Sequence, residues 1–208
     1  MLFWLASYPR SGSNFFQTVL RDLCDVHPAF IEDCEPLVRE LMGDAAADAI
    51  QAQRQAMIDR ALKIGHENSA PSGMPQFSTG PQWAQRPIDD LIADPLAFML
   101  KTHCLASESR LPAVYLVRDG RDVLVSYAKY APRNDASFKM PPEVFRNNLQ
   151  TRMCTGCPRY GNWSTNVASW IDRPNTFVLN FTDLIADPVD RRRSHELLAQ
   201  VFGLGTTG

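Results

Sequence analysis

The stretch ASYPRSGSNFFQTVL, residues 6–20, sets an arginine and several small polar residues between an apolar run and a helical pattern. A strand, tight turn and helix start of this kind can hold an anion. The first N–H groups of a helix lack intrahelical partners, and the helix dipole adds partial positive charge there. Gly12 lets the backbone approach a ligand without a Cβ in the way. Ser11, Ser13 and Asn14 add short donors, and Arg10 adds a permanent, forked cation. The competing reading is a helix merely capped by Ser13 or Asn14, and such caps are far commoner than phosphate sites. A nucleoside-triphosphatase loop fails on spacing, because it needs Gly-x-x-x-x-Gly-Lys-Ser/Thr and no lysine stands here to reach terminal phosphates.

Two further groups of residues could join such a site. Lys101 and His103 end the apolar run AFMLKTHC. A histidine there can take a proton near neutral pH, although an isolated one more often satisfies a buried hydrogen bond. Arg118 follows AVYLV, at the carboxyl end of a strand, where ligands sit in open α/β sheets. Ser126 lies about two turns along the next helix, which returns it to nearly the same face. In RDGRD, Arg121 and Asp122 read as an exposed charged turn with internal ion pairs.

The elements that must position these residues are legible from periodicity. LFWLA, AFMLK, AVYLV and TFVLN read as buried strands. Phe15, Phe16, Val19, Leu20 and Leu23 recur at helical spacing, and Asp119 marks the start of a helix carrying Val123, Leu124 and Tyr127 inward. Residues 36–64 favour helix, divided at Gly43. EVFRNNLQTRM, NWSTNVASWI and RSHELLAQVFG read as further helices. Residues 65–87 and much of 131–160 read as irregular, and long loops of this kind are often functional. Strands alternating with helices predict an α/β fold with a mainly parallel central sheet flanked by helices.

Composition bounds the function. Hydrophobic residues make up 45% and charged residues 21%, as in ordinary globular chains. A net charge of −2 gives no support for nucleic-acid binding. No apolar run is long enough to span a bilayer. Five cysteines are an odd number without disulfide-scaffold density, so a reducing cytoplasm is the expected home. Cys154 and Cys157 form a lone Cys-x-x-Cys, read as free thiols because no second ligand pair follows and no metal is expected.

YPRSGSNF resembles the 5′-phosphosulfate loop of sulfotransferases that use 3′-phosphoadenosine 5′-phosphosulfate (PAPS), usually Tyr-Pro-Lys/Arg-Ser-Gly-Thr/Asn-Thr-Trp. VYLVRDGRDVLVSYAKY resembles the family's 3′-phosphate segment, LKTHC its Lys-Thr/Ser-His-Leu strand end, and YGNWSTNVASW with FVLNFTDLIADP its later Gly-x-Trp and Asp-Pro blocks. The blocks fall in the family's order and cover residues 2–24 and 97–203.

The resemblance implies a P-loop-like phosphosulfate-binding fold over residues 1–208 as a single domain. It implies sulfuryl transfer to a hydroxyl or amine of a small-molecule or glycan-like acceptor, with adenosine 3′,5′-bisphosphate as product. His103 would be the general base, with Lys101 and Arg10 on the phosphosulfate. Arg10, Ser11, Gly12, Ser13 and Asn14 would hold the 5′ group, Arg118 and Ser126 the 3′-phosphate. Phe15 stands where the family has a tryptophan against adenine, with a core role the equal alternative; Trp163 and Trp170 read as core. The family usually continues to an Arg-Lys-Gly segment that closes over the 3′-phosphate. This chain ends at VFGLGTTG, so a domain lacking that segment is expected. The alternatives are a non-catalytic nucleotide- or partner-binding domain of the same fold and, against the loop spacing, a small kinase.

Overall fold

A computed structural model describes residues 1–68, 80–129, 140–154 and 159–186, together with 192 and 196. The predicted strands form as read: β1 (Leu2–Ser7), β3 (Ala97–Thr102), β4 (Ala113–Val117) and β5 (Thr176–Asn180). A further strand, β2 (Val26–Phe30), was not legible. The sheet is parallel throughout, in the order β2-β3-β1-β4-β5.

β1 lies at its centre, and its side chains alternate between two cores. Leu2, Trp4 and Ala6 join one cluster with Leu37, Ile50, Leu91, Tyr115 and Trp170. Phe3 and Leu5 join the other with Phe16, Leu20, Val114 and Leu184. Burial on both faces is why β1 reads as a continuous apolar run.

Helix α1 (Ser13–Cys24) follows β1, and Phe16 and Leu20 are its buried stripe. After β2 a short 3-10 turn (Ile31–Asp33) leads to α2 (Glu35–Met42) and α3 (Asp44–Asn68). Gly43 separates the two with a left-handed φ of 84°, a conformation a glycine adopts at little cost. A 3-10 turn (Gln82–Gln85) and α4 (Ile88–Ala93) precede β3. The stretch expected to be irregular is therefore ordered at both ends, and residues 69–79 within it lie outside the described residues.

Helix α5 (Gly120–Ala128) begins where Asp119 predicts, because its carboxylate accepts from the N–H groups of Arg121 and Asp122. Helices α6 (Pro142–Cys154), α7 (Trp163–Ile171) and α8 (Phe181–Ala186) complete the described elements. The expected loop over residues 130–139, Cys157 and nearly all of the expected RSHELLAQVFG helix lie outside the described residues. Among the described residues no helix is long and apolar enough to cross a membrane. All five strands point the same way, so the turns after β1, β3, β4 and β5 gather at one edge of the sheet, where open α/β sheets bind ligands.

Candidate active site

The loop between β1 and α1 takes a strained path. Arg10 has φ 75° and Gly12 has φ 95°, both left-handed. For arginine this conformation costs of the order of 1 kcal/mol or more. The gain is a turn that brings Ser11 and Ser13 inside: they are 1% and 5% exposed. The Ser11 Oγ is buried with no hydrogen-bond partner among the described residues. A buried hydroxyl of this kind is costly unless something else accepts from it. Gly12 differs in its reason from the expectation. A Cβ there would fall 2.2 Å from the Phe181 ring, so the missing side chain makes room for an aromatic residue at the end of β5. The loop is thus packed by a residue from just past the edge strand β5.

Helix α5 meets this loop directly. The Arg10 Nε donates to Ser126 Oγ at 3.3 Å, so two residues singled out from distant blocks are in contact. The Arg118 guanidinium lies 5.4 Å from the centre of the Phe181 ring, and its contact with Asp122 is a long 3.7 Å. Arg121 pairs with Asp119 at 3.1 Å on the surface, as its charged-turn reading predicts. Phe15 is 40% exposed, which removes the core alternative, and it meets Phe181 edge-on with centroids 6.3 Å apart. Phe181 therefore touches Gly12, Phe15 and Arg118 together, a role invisible in the sequence because it depends on β5 lying beside β4.

Lys101 is 1% exposed. Its ammonium donates to Asn14 Oδ1 and lies 4.7 Å above the Phe30 ring. Burial lowers its pKa to about 8, against a smaller opposing pull from Glu32. The cation–π contact and the amide compensate a buried charge only in part.

His103, just past β3, is half-buried. Its Nδ1 lies 2.7 Å from the Ser7 carbonyl oxygen. A carbonyl only accepts, so Nδ1 carries the proton and Nε2 keeps its lone pair. The Ser7 Oγ is also 3.3 Å from Nδ1. Burial pushes the imidazole down to about 4; the Ser7 carbonyl opposes this, and Lys101 adds to it. Across the site from Lys101, Arg159 donates to Glu32, to Gln53 Oε1 at 3.2 Å and to Cys104 Sγ at 2.9 Å. This polar group, the buried Asn166 and the aromatic trio Tyr8, Tyr127 and Tyr160 were not singled out by sequence. Trp170 is core at 1% exposure, whereas Trp163 is half-buried and packs over Gly120.

Comparison with known proteins identifies the family. A sulfotransferase domain family model matches residues 2–194. Among solved structures, mouse sulfotransferase SULT7A1 complexed with PAP superposes with a TM-score of 0.53 at 15% identity, over 100% of this chain and 60% of that one. Retinol dehydratase in complex with androsterone and inactive cofactor PAP gives 0.47 at 16% identity, over 99% and 60%. The chain thus spans about 60% of the length of these structures. A comparison with curated proteins finds no match. The family match over nearly the whole chain, on the fold just described, makes this chain a member of the sulfotransferase domain family.

Proposed function

We propose that residues 1–208 act as one PAPS-dependent sulfotransferase domain, moving a sulfuryl group to a hydroxyl or amine of a small-molecule or glycan-like acceptor. The observation that carries this is the meeting of the blocks at one sheet edge, above all the Arg10–Ser126 contact. The loop fits an anion: Ser11 Oγ is buried and unpartnered, and Lys101 is a buried cation whose near partners are neutral. PAPS supplies the activated sulfuryl group, with adenosine 3′,5′-bisphosphate as leaving group. Arg10, Ser11, Gly12, Ser13 and Asn14 hold the 5′ end, while Arg118 and Ser126 take the 3′-phosphate. Phe15, exposed beside them, offers its ring to the adenine.

His103 accepts the acceptor's proton at Nε2, the nitrogen left free by the Ser7 contact. Arg10 and Lys101 face the charge that develops on the leaving group, which fixed cations stabilise without reorganising. The reading includes a reducing, cytoplasmic setting, supported by the free, buried thiols of Cys24, Cys34 and Cys104.

The test is to incubate the protein with PAPS and a panel of phenols, alcohols, amines and sugars, following bisphosphate release. Release with at least one acceptor is expected. His103→Ala should lower it by roughly a hundredfold or more while bisphosphate binding is retained. Bisphosphate binding without turnover on any acceptor would instead make this a binding domain. Absence of both would end the proposal.

A further inference from the structure

His103 is gripped at two points, its ring and its carbonyl, the second by a short circuit of hydrogen bonds. At its ring, Nδ1 donates to the carbonyl of Ser7 at 2.7 Å. Tyr115, 0% exposed on β4, donates to Asn166 Oδ1 at 2.9 Å. Asn166, 0% exposed on α7, closes the circuit: its Nδ2 lies 3.1 Å from the His103 carbonyl and 3.0 Å from that of Tyr160. The Cys104 carbonyl is 3.4 Å from the same nitrogen and also takes the Trp170 indole N–H at 2.9 Å.

The direction of this circuit is fixed by chemistry. The Asn166 Oδ1 only accepts, so the one proton of the Tyr115 hydroxyl goes to it. That orients the Asn166 amide so that its N–H bonds face the Tyr160 carbonyl and that of His103, just past the end of β3 at Thr102. The peptide that follows His103 is held at its carbonyl by Asn166 and at its N–H by Thr102 Oγ1 at 3.0 Å, and its plane bears on the direction in which the His103 side chain leaves the backbone.

We infer that Asn166 and Tyr115 are positioning residues for His103, fixing its ring against the peptide that opens the anion loop. The inference rests on the proposed sulfotransfer reading for its catalytic consequence, but its geometry can be tested without turnover. The charges facing the ring, Lys101, Glu32 and Arg159, stay in place in the variants used.

The experiment compares Tyr115→Phe and Asn166→Ala with the unaltered protein, following the His103 imidazole by NMR titration and assigning it with His103→Gln. Tyr115→Phe removes a single oxygen and carries the test if Asn166→Ala fails to fold. With the ring released towards solvent, the His103 titration should move from about 4 towards its ordinary 6.5, while adenosine 3′,5′-bisphosphate binds within twofold of the unaltered protein. On a productive acceptor, kcat should fall tenfold or more with the KM for PAPS unchanged. A folded Tyr115→Phe protein with the original His103 titration would overturn the inference, whatever the turnover. A shifted titration with no turnover in any form would support the positioning and count against sulfotransfer.

Discussion

His103 is neutral at neutral pH, because burial and the nearby Lys101 hold its pKa at about 4. Such a group is ready to accept a proton but is a weak base until negative charge arrives beside it. Binding of the doubly phosphorylated nucleotide should therefore raise its pKa, a shift an NMR titration with and without bisphosphate would read; no movement would argue against a ligand next to the ring. Lys101 offers a complementary measurement. Its free-state pKa near 8 leaves it about half charged at pH 8, and an anion favours the charged form. Bisphosphate binding at pH 8 is expected to take up a fraction of a proton, and affinity should fall as pH rises through 8. Calorimetry in buffers of different ionisation enthalpy measures the uptake, and Lys101→Met should abolish it. Asn14 and Phe30 hold this lysine without neutralising it, so the cost of its burial is recovered on binding.

At the scale of elements, the β1–turn–α1 unit depends on an aromatic residue just past the edge strand β5. In Gly12→Ala, the left-handed backbone costs about 1–2 kcal/mol, and the new methyl collides with Phe181. Bisphosphate affinity should fall by at least tenfold by titration calorimetry. Adding Phe181→Ala relieves the collision but not the backbone cost, so the double variant should recover stability only in part. Much of this unit was legible: the strands, the Asp119 cap and the division at Gly43 follow from periodicity and capping chemistry. β2 was hidden because VHPAF contains Pro28, which weakens any strand reading; it is tolerated because β2 is an edge strand. Phe181 and Asn166 were hidden for a different reason. Each acts through contacts that only the strand order creates, and a buried asparagine on a helix has no sequence pattern of its own.

For the whole molecule, the depressed pKa of His103 has a consequence for stability. Between about 4 and its unfolded value of 6.5 the unfolded chain binds a proton that the native state refuses, so native stability falls as pH drops through that window. His103→Gln removes this contribution. Melting curves of the two proteins, compared from pH 7 to pH 4, should converge on acidification, and parallel curves would exclude a buried neutral imidazole. The central position of β1 carries another cost, one incurred at the ribosome. This apolar strand is made before both of its neighbours, which begin only at Ala97 and Ala113. At ordinary synthesis speeds it waits roughly 5–20 seconds for a partner. During that wait LFWLA is an unpaired, greasy strand in a nascent chain, so yield in the cell should depend more on chaperone shielding of that segment than on the final stability of the fold.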